Sequence, residues 1–247
     1  MSSVRWAWIF LDTPSADAAT SWRFWAQATA TSLAPVRGED GEFSTLLPAR
    51  GRAWVKVQAV GEPGAGVHLD LDVDDVGAEA ARAEALGAVR VGAIGDTVVI
   101  LRSPGGFTFC LTTWDGDDTG GPVREGLPVA LDQVCLDVPR AAWDAEVRFW
   151  EALTGWELRD SDEPGFAYLV RPPDLAVRLL LQRLDEDDGP VRGHVDLACA
   201  DRGAETARHV SLGARVVREH RYWTVMADPV GRVYCLTSRS PQPPPGP

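Results

Sequence analysis

Residues 136–150, LDVPRAAWDAEVRFW, repeat without a gap the pattern of residues 11–25, LDTPSADAATSWRFW. The two stretches share Leu-Asp, a proline two residues later and the final Arg-Phe-Trp, at a constant offset of 125 residues. This offset is the length of a whole domain and is far longer than the repeat of a solenoid. The 247-residue chain therefore contains two copies of one domain.

The repeat continues through the rest of each copy. HLDL at 68–71 returns as HVDL at 194–197, and CLT at 110–112 returns as CLT at 235–237. Between the copies lies a segment rich in Asp, Gly and Thr, with turn formers and no apolar face to bury. We assign domains to residues 1–115 and 129–239, a linker to 116–128, and a disordered, proline-rich tail to 240–247.

Each copy shows the same order of predicted elements. In the second copy a β-rich run at 134–138 leads into a helix at 141–153, whose apolar stripe contains Trp143, Val147, Trp150 and Leu153. Two strands, a third strand, a second helix and further strands follow. The sequence thus predicts an α+β fold of two tandem domains, each a pair of β-α-β-β-β modules.

The composition excludes several kinds of partner. The net charge of -12 and the single lysine, Lys56, argue against nucleic acid, because binding phosphates needs clustered Lys and Arg. No stretch approaches the roughly 18 apolar residues of a membrane span, and no secretory signal is visible. The four cysteines are too scattered for a disulfide framework and are expected to be reduced. We expect a cytoplasmic protein with no membrane partner.

Three features resemble the vicinal oxygen chelate superfamily, which contains glyoxalases, bleomycin-resistance proteins and dioxygenases. They are the paired modules, Phe149-Trp150 near the end of a first helix, and DPVG at 228–231 before the last strand. The His-x-Asp-Leu strand and the late cysteine are most similar to the glyoxalase-like domains of actinobacteria. The resemblance covers nearly all of both domains and implies that each pair of modules forms a curved, cup-shaped mixed sheet with helices outside.

The resemblance also implies where a metal would bind: on the first strand, on the strand that opens the second module, and at a carboxylate on the final strand. These positions carry Gln133, His194 and Cys235 in the second domain and Trp8, His68 and Cys110 in the first. Trp, His and Cys do not make a metal site, whereas Gln, His and Cys suit at best a softer metal such as zinc. We expect no cofactor; the alternative is one divalent metal in the second domain.

Two histidines are followed by an aspartate two residues later: His68 by Asp70 and His194 by Asp196. Strand alternation places each His and its Asp on the same face of the sheet. The histidine could line a cavity and be oriented by the aspartate, or the pair could be a buried unit that fixes the sheet. Either arrangement would anchor a ligand in a cup.

Tryptophans on predicted strands are further candidates for ligand binding. Trp8, Trp54 and Trp223 are predicted to line a cup and to stack on a planar ligand. Arg178, which the repeat aligns with Trp54, and Gln182 on the same strand face are polar candidates.

The sequence favours a protein that binds a small aromatic or cationic organic ligand without a metal, in the manner of the drug-binding members of the resembled superfamily. The alternative is a metal-dependent lyase, isomerase or dioxygenase acting in the second-domain cup. A third interpretation is that one or both domains serve assembly only. No catalytic residue is assigned, and a homodimer is an open alternative to a monomer.

Overall fold

The computed structural model describes residues 4–61, 66–116 and 120–242. The described part of the first half contains two helices, α1 (Ala18–Ala28) and α2 (Val76–Ala85). Its strands are β1 (Val4–Pro14), β2 (Ser32–Leu33), β3 (Phe43–Leu47), β4 (Val55–Val60), β5 (Gly66–Val73), β6 (Val89–Ile94), β7 (Val98–Arg102) and β8 (Thr108–Thr113).

The second half repeats this order. Its helices are α3 (Trp143–Thr154), which follows a short 3-10 turn, and α4 (Arg202–Ser211). Its strands are β9 (Val129–Val138), β10 (Glu157–Asp160), β11 (Phe166–Val170), β12 (Arg178–Arg183), β13 (Arg192–Cys199), β14 (Arg215–Glu219), β15 (Trp223–Ala227) and β16 (Val233–Thr237).

Each half supplies one open, eight-stranded mixed sheet. The strand orders are β2-β3-β4-β1-β5-β8-β7-β6 and β10-β11-β12-β9-β13-β16-β15-β14. The pairs β5–β8 and β13–β16 are parallel, and the pairs that follow them toward one edge are antiparallel. The predicted α+β fold with two tandem domains is confirmed, and the unclosed sheets are consistent with cups.

Packing divides the chain differently from the sequence repeat. The first compact unit contains the described residues of 1–9, 67–119 and 134–193, and the second contains those of 10–66, 120–133 and 194–247. The first unit therefore combines the second module of the first half with most of the first module of the second half. The second unit combines the two remaining modules.

Within each unit, a helix from one half covers a strand from the other half. In the first unit Trp150 of α3 packs against Phe109 of β8, with ring centroids 5.2 Å apart. In the second unit Trp25 of α1 packs against Tyr234 of β16 at 5.1 Å. Both tryptophans are fully buried, as the sequence predicted for helices that cover a sheet.

Two arginines add further contacts between the halves. Arg82 of α2 donates to the main-chain oxygens of Ala152 and Leu153 at the end of α3, at 2.9 and 2.6 Å. Its repeat partner Arg208 of α4 donates in the same way to the last turn of α1. A cation at a helix C-terminus satisfies carbonyl groups that lack partners within the helix and is favoured by the helix dipole.

The buried face of α3 differs from the prediction. It contains Phe149, Trp150 and Leu153, whereas Trp143 and Val147, which were predicted to share the buried stripe, are partly exposed. Trp150 and Leu153 of the predicted stripe are thus buried, but the buried face is rotated away from Trp143 and Val147 toward Phe149.

The buried carboxylate of Glu146 explains why the buried face of α3 is rotated. Glu146 accepts hydrogen bonds from the indole N–H of Trp150 at 2.7 Å and from the main-chain N–H of Gly105 at 2.5 Å. Burial raises the pKa of Glu146. In the second unit the corresponding buried carboxylate is that of Asp228, which accepts a hydrogen bond from the indole N–H of Trp25 at 3.1 Å. A sequence pattern that counts Glu as exposed cannot place such a group in the core.

Ala30 carries local backbone strain. Among the described residues it is the one non-glycine residue with a left-handed backbone, at φ 53°, directly after the last turn of α1. Its repeat partner Gly155 ends α3 at φ 65°. A side chain with a Cβ is disfavoured in this conformation, whereas glycine adopts it readily.

We expect Ala30→Gly to raise the free energy of unfolding by about 0.5–1 kcal/mol, because relief of the strain exceeds the added flexibility of the unfolded chain. Gly155→Ala is the matched control and should lower the free energy of unfolding by a similar amount. Urea titration of both variants measures the two changes. A lower stability of Ala30→Gly would show that the alanine methyl group contributes more by packing than its backbone costs.

The structure also bears on the predictions for the cysteines, for membrane-spanning helices and for the linker and tail. None of the four cysteines, all of which lie in the described ranges, forms a disulfide bond, and all four are buried. No helix in the described ranges is long and apolar enough to cross a membrane. Of the predicted tail, Pro241 is buried and the Gln242 side chain donates to the main-chain oxygen of Leu127. Residues 243–247, and 117–119 of the predicted linker, lie outside the described residues.

Candidate ligand-binding site

The sheet of the second half brings three reactive side chains together on one face. His194 and Asp196 alternate along β13, so their side chains share a face. Because β13 pairs in parallel with β16, Asp196 lies directly opposite Cys235. The intervening Val195 and Leu197 are fully buried on the other face, which fixes the strand's orientation.

The three side chains are close enough to act as a unit. His194 Nε2 lies 3.4 Å from Asp196 Oδ1. The ligand atoms of His194, Asp196 and Cys235 all lie within 4.8 Å of one another. Asp196 and Cys235 are buried, while His194 is partly exposed. The histidine thus pairs with the aspartate but is not fully buried, and the choice between the two alternatives drawn from the sequence stays open.

Gln133 of β9 joins this cluster. Its side-chain amide donates from Nε2 to Asp196 Oδ2 at 2.5 Å. The side chain is 2% exposed, and its Oε1 accepts no hydrogen bond from any described residue. A buried acceptor without a donor is costly, so a hydrogen-bond donor that reached this oxygen would be favoured.

Cys235 is held as a neutral thiol. Burial, with a further contribution from the negative charge of Asp196, raises the pKa of its thiol to about 11. The neighbouring His194 acts in the opposite direction but does not offset these effects. Only the thiolate is a good metal ligand or nucleophile, so Cys235 must lose its proton before it can act as either.

Trp223 extends the same face toward the edge of the sheet. In the antiparallel pair β15–β16, Val225 lies opposite Cys235 and Trp223 lies opposite Thr237. The indole stacks on the ring of His220, with centroids 4.5 Å apart and an interplanar angle of 15°. We call Gln133, His194, Asp196, Trp223 and Cys235 the His194 site.

The first half contains the corresponding triad in the other compact unit. His68 Nε2 lies 3.5 Å from Asp70 Oδ1, and Asp70 lies opposite Cys110. All three donor atoms again lie within 4.8 Å of one another. We call these residues, with Trp8 and Asp72, the His68 site.

Trp8 makes the His68 site chemically different. Its indole N–H donates to Asp72 Oδ2 at 3.0 Å, and the hydroxyl group of Thr112 donates to Asp72 Oδ1 at 2.5 Å. An indole has no lone pair to offer a metal, and here its N–H donates to Asp72. The second half has Ala198 at the position of Asp72 and therefore lacks this carboxylate. The first-strand position of the His68 site therefore offers no metal ligand, although His68, Asp70 and Cys110 repeat the donor set of the His194 site.

Two predicted ligand residues lie elsewhere. Arg178 of β12 is in the first compact unit, where its guanidinium lies 4.1 Å from the ring centroid of Tyr168. Trp54 was expected on a strand but lies one residue before β4. It is buried, its indole N–H donates to the main-chain oxygen of Leu131 at 2.6 Å, and it lines a separate apolar pocket of about 80 Å³.

Asp70 and Asp196 were predicted only as partners of their histidines and not as metal ligands. The family resemblance implies a carboxylate on the final strand, where the sequence has cysteine. The structure supplies the carboxylate from the neighbouring strand, at the position paired with each cysteine. The His-x-Asp spacing was the available signal, but the parallel register that places Asp beside Cys could not be obtained from spacing alone.

A family model described as glyoxalase-like domain matches residues 8–112 and again residues 133–237. No match was found among curated proteins.

Solved structures with similar folds include an Mn(II)-bound glyoxalase and two dioxygenases. One is the Mn(II)-bound glyoxalase from Novosphingobium aromaticivorans, with 19% identity, a TM-score of 0.62, and coverage of 96% of this chain and 81% of that one. Another is 2,2',3-trihydroxybiphenyl 1,2-dioxygenase from Sphingomonas wittichii strain RW1, with 16% identity, a TM-score of 0.62, and coverage of 96% and 90%. A third is the 2,3-dioxygenase LapB from Pseudomonas sp. KL28, with 14% identity, a TM-score of 0.62, and coverage of 96% and 93%. At these identities the likeness concerns the fold.

Proposed function

The chain belongs to the glyoxalase-like domain family, and from this premise we propose that it binds a small, partly aromatic organic ligand at the His194 site without a metal. The observation that carries the proposal is the hydrogen-bonded group of Gln133, Asp196 and His194 beside a neutral Cys235. These side chains already satisfy many of one another's hydrogen-bonding groups. The buried amide oxygen of Gln133 is left to accept a hydrogen bond from a ligand.

The His194 site suits an organic ligand better than the His68 site does. A small-molecule site combines apolar and aromatic walls with a few polar groups that fix orientation. Trp223 and Val225 supply the apolar part, and Gln133, Asp196 and His194 supply the polar part. In the His68 site the corresponding first-strand position is filled by the indole of Trp8.

The proposal predicts that ligand binding is reported by Trp223. In a screen of small aromatic compounds, a compound that binds the His194 site should quench tryptophan fluorescence, and Trp223→Ala should remove most of that response. Trp8→Ala is the matched control, because Trp8 lies in the His68 site, and it should leave the response intact. A response lost in Trp8→Ala and kept in Trp223→Ala would assign binding to the His68 site and contradict the proposal.

A metal-dependent lyase, isomerase or dioxygenase is the second candidate. It is favoured by the three donor atoms of His194, Asp196 and Cys235, which lie within 4.8 Å of one another. Imidazole, carboxylate and thiolate are a chemically adequate set for a divalent ion such as zinc, and Gln133 would orient the carboxylate from behind. A bound metal would supply Lewis-acid activation of a substrate oxygen. This candidate requires Cys235 to lose its proton.

A further inference from the structure

We infer that the ligand of the His194 site carries a protonated amine, whose N–H groups bind the Gln133 amide oxygen and the Asp196 carboxylate. This inference rests on the proposed function and specifies the chemical class of the ligand. It follows from the bonding capacity that the site leaves unused.

The first support is the orientation of the Gln133 amide. Its nitrogen must face Asp196, because only the nitrogen can donate to a carboxylate oxygen. The opposite atom of the same amide, Oε1, is therefore an acceptor. It is buried and receives no hydrogen bond within the described ranges. A ligand that fills this position must offer a donor.

The second support is the carboxylate of Asp196. It is 3% exposed, and Oδ2 is taken by Gln133. Oδ1 lies 3.4 Å from His194 Nε2 and receives no hydrogen bond that meets normal geometry from the residues described. Arg239 also interacts electrostatically with Asp196, but it donates to both oxygens of Asp132 at 2.7 and 3.2 Å. The site therefore presents acceptors and a negative charge to its ligand.

The third support is the aromatic wall. Trp223 lies two residues along β15 from Val225, the residue opposite Cys235. The face of an indole attracts a cation more strongly than other aromatic rings do. Asp196 and Gln133 thus offer a charge and a hydrogen-bond acceptor to an ammonium group, and Trp223, two strands away on the same face of the sheet, offers an aromatic surface to the apolar body of the ligand.

The His68 site lacks the amide acceptor. Both oxygens of its additional carboxylate, Asp72, accept hydrogen bonds, from Trp8 and Thr112. The position of Gln133 is occupied there by Trp8, which donates and does not accept. We therefore assign amine recognition to the His194 site, and Asp70 in the His68 site provides the matched control for Asp196.

Calorimetric titration of the full chain with four related compounds tests the inference. The probes are 2-phenylethylamine, its N-trimethylated cation, 2-phenylethanol and phenylacetate, all at neutral pH. We expect the primary amine to bind about tenfold or more tightly than each of the others, since only it has both charge and N–H donors. This comparison uses the unaltered protein and so does not depend on a variant that folds.

Variants then locate the binding. Asp196→Asn should weaken the primary amine about tenfold or more, whereas Asp70→Asn should change its affinity less than about twofold. Equal binding of the amine and the alcohol, with quenching through Trp223, would overturn the inference and leave the proposed function intact. Equal binding of the amine and its trimethylated form would also overturn it, because Gln133 would then not be the acceptor. If none of the four binds and the aromatic screen finds no compound that quenches through Trp223, both the inference and the proposed function fail.

Discussion

Trp150→Ala should lower the free energy of unfolding by about 3–5 kcal/mol, the cost expected when a fully buried aromatic side chain is removed from a core. Trp150 is 0% exposed and packs against Phe107, Phe109 and Phe149, with ring centroids 5.2–6.0 Å apart. The substitution also takes away the indole N–H that donates to Glu146. The carboxyl group would then lose a partner in the core, which adds to the cost of the cavity.

Urea denaturation of Trp150→Ala and of Arg148→Ala measures this effect. Arg148 lies on the same helix but is exposed, so its replacement should change the free energy of unfolding by less than about 0.5 kcal/mol. A midpoint for Trp150→Ala that matches the unaltered protein would mean that α3 does not pack through this face.

Neither half of the chain, residues 1–119 or 120–247, should unfold cooperatively as a monomer when it is produced alone. Each compact unit contains modules from both halves, so a single half has the strands of one sheet without the helix that covers part of it. In the first half, Phe109 of β8 would lose Trp150, and Arg82 would lose the end of α3. The exposed apolar surface would leave too little buried area to offset chain entropy.

Circular dichroism melts of each half, with sedimentation to establish the monomer, test this prediction. An equimolar mixture of the halves should recover a cooperative transition and sediment as a 1:1 complex. If a monomeric half melts cooperatively near the temperature of the full chain, the contacts between the halves contribute little to stability.

Local pattern and repetition were sufficient to predict the secondary structure. The predicted run at 134–138 is the second half of β9, and the predicted helix at 141–153 covers most of the 3-10 turn and nearly all of α3. Because two copies of a sequence report the same fold twice, an ambiguous element in one copy is supported by its partner. The repeat also allowed the division of each half into modules to be predicted from the sequence.

Long-range packing could not be predicted in the same way. The sequence shows that Trp150 must be buried but does not show that its partner is Phe109 in the other half. It counts Glu146 as a surface residue, although a hydrogen-bonded carboxylate can be buried. Both depend on contacts between residues far apart in the chain, which neither periodicity nor propensity reports.

The candidate site was predicted in part for a related reason. His194, Gln133 and Cys235 were identified through the family resemblance, and the structure brings all three together through Asp196. The aspartate itself depends on the parallel register of β13 and β16, which sets Asp196 beside Cys235. The sequence shows that Cys235 on the final strand replaces the expected carboxylate. It does not show that Asp196 on the adjacent strand places a carboxylate beside it.

The metal content of protein purified without chelator decides between metal-free binding and a metal-dependent enzyme. We predict well under one equivalent of Fe, Mn, Ni and Zn per chain, because Asp196 Oδ2 already accepts a hydrogen bond from Gln133 and the Cys235 thiol must lose a proton before it can bind a metal. A chelator should then leave the thermal midpoint unchanged. Close to one equivalent of metal per chain, lost together with stability in His194→Ala and retained in His68→Ala, would contradict metal-free binding and establish the metal-dependent enzyme instead.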